Sequence, residues 1–171
     1  KFSASAFQRV INDFIDWTRI SVDVPYQPQK LGQQNMRGIQ ARIKQDFEVS
    51  SIQKIGYSAS YQYLSPKEEE NATEIISKYK IESLKHQVIL GIDYRYTNFS
   101  TQLQNRYVKR EMNEGYFITD LRLQYQFSTF QVYMQATNLF NSTYKEVAAV
   151  PMPSRWLQIG FQYHLNFKNK N

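Results

Sequence analysis

Few side chains in this 171-residue chain could do covalent chemistry, and they are not spaced for it. There is no cysteine, so neither a disulfide framework nor a thiolate metal site can form. The two histidines, His86 and His164, fall on separate predicted strands near opposite ends, whereas a metal needs convergent ligands. Asp93 and Asp120 stand beside Arg95 and Arg122, and across neighbouring strands such opposite charges predict a polar network rather than an acid/base pair. No nucleophile has a histidine and a carboxylate at a fixed spacing, and no glycine-rich phosphate loop occurs. These residues do not make an enzyme, and they call for no metal and no cofactor.

What remains is charge and pattern. The formal net charge is +6, but lysine and arginine are spread along the chain rather than gathered in one stripe, which argues against nucleic acid. Anionic lipid headgroups or an acidic solute fit the balance as well. Arg37, Arg42, Lys44, Arg95 and Arg122 are assigned to one wet strand face. That face reads either as a path for an anionic solute or as a simply hydrated wall.

The elements that would position these groups are strands. Arg155 to Phe167 reads RWLQIGFQYHLNF, with Leu157, Ile159, Phe161, Tyr163, Leu165 and Phe167 on one face and Gln158, Gly160, Gln162, His164 and Asn166 on the other. Ordinary strands are nearer about five or six residues. A strand crossing a bilayer needs roughly 9–11, apolar outward and polar toward a lumen. The mean hydropathy of −0.60 does not oppose this, because every second residue of such a wall is wet.

The period recurs along the chain. Phe2, Ala4 and Ala6 alternate with serines, and a slip around Gln8 to Ile11 predicts a bulge. Further strands are predicted over Met36 to Phe47, Ile55 to Tyr63, Gln87 to Tyr96, Phe99 to Tyr107, Phe117 to Phe127 and from Phe130 to Ala136. Short turns fall near residues 50, 97 and 128, and long loops over 21–35, 65–84, 109–115 and 139–154, the second with room for a helical turn. About eight strands with short turns on one rim and long loops on the other define an antiparallel transmembrane β-barrel segment. Tyr94, Tyr96, Phe99, Tyr125, Phe127, Phe130, Tyr163 and Phe167 gather near the short turns, where a membrane interface favours aromatic rings. The segment takes in residues 1–167, followed by a short polar tail, 168–171. The chain opens at Lys1 with no signal peptide, which predicts a processed chain or a fragment.

The run NLFNSTYKE at Asn138 to Glu146, followed by VPMPSRWLQIGFQYHLNF at Val150 to Phe167, resembles the carboxyl end of TonB-dependent outer-membrane receptors. SAFQRVINDFIDW at Ser5 to Trp17 and NMRGIQ at Asn35 to Gln40 are similar to two further segments of that family, with Gln40 where glutamate is usual and Ser154 where glycine is commoner. The resemblance implies the last eight strands of an all-β barrel of about twenty-two strands with a plugged lumen. It implies a bacterial outer-membrane location and uptake of a scarce nutrient such as an iron–siderophore chelate. The implied partners are outer-membrane lipid, the remaining strands and plug, and TonB through an amino-terminal part that these residues do not contain. Two alternatives stay open. One is a self-standing eight-stranded barrel with a structural or adhesive role, in which the first strand bonds to the last; the other is a soluble lipocalin-like binder with its apolar faces inward.

Overall fold

The computed structural model describes residues 1–67, 76–78, 83–111, 113–146 and 150–163. Alternating apolar and polar residues, rich in aromatic and β-branched types, fit a pleated surface with two unlike sides. The described residues accordingly form nine strands: β1 (Phe2–Arg19), β2 (Gln27–Ser50), β3 (Gln53–Lys67), β4 (Ile76–Ser77), β5 (Leu84–Tyr96), β6 (Phe99–Arg110), β7 (Tyr116–Gln126), β8 (Phe130–Thr137) and β9 (Trp156–Tyr163). They make one antiparallel sheet in the order β4-β1-β2-β3-β5-β6-β7-β8-β9. Eight are the long strands that the alternation predicts. The ninth, β4, lies within the expected 65–84 loop and pairs Ser77 and Ile76 with Thr18 and Arg19 at the far end of β1.

Short and long connections fall on opposite rims. The short ones follow β2, β5 and β7, with Thr97 in the left-handed region at φ 47° closing the β5–β6 turn. The segment expected as a loop over 21–35 is mostly strand: β2 begins at Gln27, and Pro28 pairs with Trp17. Only one edge of β2 is paired there, since β3 joins it from Asn35 onward, so a residue without N–H can be accommodated. The bulge predicted over Gln8 to Ile11 lies a little later. Register is continuous through Ile11, shifts on either side of Phe14, and leaves Asp13 at φ 54° with its carboxylate 2.6 Å from Lys30 Nζ.

Residues opposite one another across an antiparallel pair share a face, so the register sorts every side chain. One face carries rows such as Phe47, Ile55, Tyr94, Thr101, Leu123, Met134 and Ile159. The other carries Asp46, Gly56, Asp93, Gln102, Arg122, Gln135 and Gln158 in the adjoining row. The apolar face is bare: Ile159 is 79% exposed and Phe161 72%, and no second layer covers it among the described residues. A single sheet has no interior. Among the described residues the buried apolar side chains are Val108, Ile118 and Ala136.

The rings expected at the short-turn rim are there, apart from Phe167, which lies outside the described residues. Tyr96 pairs with Phe99 and Phe99 with Tyr125, while Phe127 stacks on Phe130 with centroids 4.3 Å apart. Leu157, Ile159, Phe161 and Tyr163 form the exposed apolar row of β9. His164, Leu165 and Phe167 of the last predicted strand, and the 168–171 tail, lie outside the described residues, as do 68–75 and 79–82, which hold most of the expected helical turn.

Candidate functional site

The polar face is the side on which this sheet could meet a solute. Near the short-turn rim it lines a recess of about 470 Å³, with the carboxylates Asp46 and Asp93 and the cations Lys54, Arg95 and Arg122 around it. β2 and β3 bring Asp46 and Lys54, β5 brings Asp93 and Arg95, and β7 brings Arg122. A second polar recess of about 300 Å³ includes Ser3, Gln40, Arg42, Ser60 and Gln62. The first carries both signs of charge and the second only Arg42, and both are open surfaces that offer hydrogen bonds to a ligand or another protein segment.

Close packing on this face is made by glycine. Tyr133 lies over Gly160 of the neighbouring strand, and the Arg122 guanidinium lies over the Tyr133 ring, 4.6 Å from its centroid. Three strands are thus tied in one ladder, and the glycine within β9 has its place because a ring occupies the space of its side chain.

Of the five cations assigned to this face, four are on it. Arg42 stands between Ser3 and Ser60, Lys44 opposite Ser58, and Arg95 and Arg122 line the larger recess. Arg37 is not among them. It pairs with Gln8 and Ser65 and lies two residues from Ile39, on the apolar face. The signal was in the spacing, because 37, 39, 41 and 43 share one parity. Phe7 is the converse case: it faces Gly38 and Leu64 on the polar side.

At the long-loop rim the segment after β8 folds back onto the sheet. Asn138, 1% exposed and at φ 52°, is its pivot. Its backbone N–H donates to Asp120 Oδ1 at 2.9 Å, its Nδ2 donates to the Ser142 carbonyl at 2.9 Å, and its Oδ1 accepts from the Ser142 N–H at 2.8 Å. Asn141 Oδ1 then accepts the Arg155 N–H at 2.9 Å, which sets the entry to β9. Asp120, expected in a network with the cations, thus gives one oxygen to this turn. Further along, Tyr116 donates to Glu146 at 3.0 Å and its ring meets that of Tyr144 at a tilt, with centroids 4.8 Å apart. Burial, with the Glu146 carboxylate beside it, pushes the Tyr144 phenol above its ordinary value. Asn138 to Glu146 stands out in the sequence by its family resemblance, whereas the role of buried Asn138 as a clasp is seen only in the fold.

His86 points to the apolar face, its Nδ1 2.9 Å from the Tyr61 hydroxyl and its ring 5.0 Å from that of Tyr63. No group of three or more histidine, cysteine or carboxylate side chains suited to a metal occurs among the described residues.

A long-stranded antiparallel sheet with one bare apolar face, one polar face, aromatic rings at the short-turn rim and loops segregated by length is the wall of an outer-membrane-type β-barrel. Residues 1–139 match the family model described as TonB dependent receptor-like, beta-barrel. The chain belongs to that family, whose members are outer-membrane receptors and transporters rather than enzymes. Its two similar segments near the amino terminus lie on adjoining strands, with Ser5 opposite Gln40 and Val10 opposite Asn35. No curated protein matches the chain.

Proposed function

We propose that this chain is part of the wall of a TonB-dependent importer in a bacterial outer membrane, taking up a scarce, large solute such as an iron–siderophore chelate. The apolar face lies against lipid and the polar face toward the lumen. The observation that carries this is the equal height of the rows on the apolar face: Phe47 to Ile39 on β2, Tyr96 to Val88 on β5 and Phe99 to Tyr107 on β6 each cover nine residues and are apolar or aromatic except at Gln45, Thr101 and Asn105. That matches the roughly 9–11 residues a strand needs to cross the hydrocarbon.

Unpaired backbone cannot stand in that medium, and two edges here lack a partner strand among the described residues: β9 beyond β8, and β1 from Phe2 to Trp17. Their being unpaired with each other favours a larger barrel, of about twenty-two strands, over a self-standing one of eight. The plug and the remaining strands would meet the polar face and the two edges. TonB would be engaged through the plug-bearing amino-terminal part.

Arg42, Lys44, Arg95 and Arg122 form the path along which an anionic solute is guided. The test is energised uptake of labelled ferric chelates by cells carrying the complete receptor, with and without TonB. Uptake that needs both proteins, and that falls for anionic chelates when the four cations become glutamine, supports the reading. Uptake indifferent to TonB would overturn it.

A further inference from the structure

The apolar face ends in basic side chains. On β2 the row from Phe47 to Ile39 is followed by Arg37, on β5 the row from Tyr96 to Val88 by His86, and on β6 the row from Phe99 to Tyr107 by Lys109. All three project from the same face as the greasy rows, at their long-loop end. β3, between β2 and β5, sets Ser65 beside Arg37 and Tyr63 beside His86, so Arg37 stands two residues beyond the row of His86 and Lys109, and the four strands present a band about 15 Å wide at the usual spacing of about 4.8 Å. The carboxylate that follows β6, Glu111, is met by Lys85 at 3.0 Å.

Two of the three side chains are held by neighbours. Arg37 is exposed. The Tyr61 hydroxyl and the Tyr63 ring hold the His86 imidazole upright. Lys109 Nζ donates to the Asn113 carbonyl at 2.8 Å, and an ammonium has further donors to give. At one apolar span's height above the aromatic rim, a barrel surface leaves hydrocarbon and enters the headgroup layer. An Arg fork and an ammonium there suit phosphate oxygens.

We infer that Arg37, His86 and Lys109 form an external site for the phosphate-bearing headgroup of a lipid in the leaflet on the long-loop side. This rests on the membrane reading above. The complete receptor, in zwitterionic nanodiscs or in nanodiscs containing a phosphorylated lipid A, is examined by native mass spectrometry after gentle delipidation. The native protein keeps the phosphorylated lipid in preference to phosphatidylcholine, and millimolar inorganic phosphate does not displace it. Arg37→Gln and Lys109→Gln each lower retention about fivefold, as expected for one charge at a lipid surface. Arg37→Lys keeps most of it, and Lys54→Gln at the opposite rim changes nothing. Equal retention by native protein and both glutamine variants, or loss to free phosphate, overturns the site and leaves the membrane reading standing. Failure of the native protein to enter either nanodisc removes both.

Discussion

Tyr133 lies so close over Gly160 that a β-carbon on the glycine would stand 2.5 Å from the tyrosine Cζ. No side chain fits there without moving the ring, and the ring also carries the Arg122 guanidinium. Gly160→Ala is expected to destabilise the folded barrel by about 1–3 kcal/mol, the usual cost of overpacking. Tyr133→Ala in the same chain should recover much of that loss. Urea unfolding of the single and double variants measures the coupling, which should be clearly non-additive.

Asn138 is the second point where one residue organises two strands. Its side chain makes both a donor and an acceptor bond with Ser142 in a buried position. Asn138→Ala leaves Ser142 groups unpaired and places a β-branched-free but left-handed-averse residue at φ 52°, for a loss of about 2–4 kcal/mol when both costs are counted. Asn138→Gly relieves only the backbone term, so its stability should fall between the two. The ranking, read from thermal or urea unfolding in detergent, is the check.

The two faces should respond in opposite ways to charge. Ile92, 52% exposed in the middle of the apolar rows, should resist arginine: Ile92→Arg is expected to cost about 2–4 kcal/mol near a bilayer midplane. Gln102→Arg, on the polar face opposite Asp93, should be nearly neutral. Folding yield into lipid vesicles distinguishes them.

Much of this was legible in the residues because a period of two reports directly on faces. The eight long strands, the turn at Thr97 and the rings at the short-turn rim follow from alternation alone. Boundaries were harder. Pro25, Pro28 and Gly32 look like loop residues, yet β2 runs through the last two, because a strand paired on one edge tolerates them. Charge alone places Arg37 on the wet face, whereas its parity with Ile39 and Ile43 sets it on the other. The clasp around Asn138 could not be read from spacing, since it depends on a left-handed residue and contacts across a loop.

The most direct measurement uses the absence of cysteine from these 171 residues, with any cysteine elsewhere in the receptor first replaced by serine. Single cysteines along β5 and β6 of the complete receptor in a bilayer, at Leu90, Gly91, Ile92, Asp93, Gln102 and Leu103, take a spin label. Collision rates with oxygen and with a water-soluble nickel chelate then report lipid and water. The expected result is strict alternation, oxygen highest at Leu90, Ile92 and Leu103 and nickel highest at Gly91, Asp93 and Gln102. Nickel access to the leucine and isoleucine positions, with the aspartate and glutamine positions shielded, would contradict a lipid-facing apolar wall.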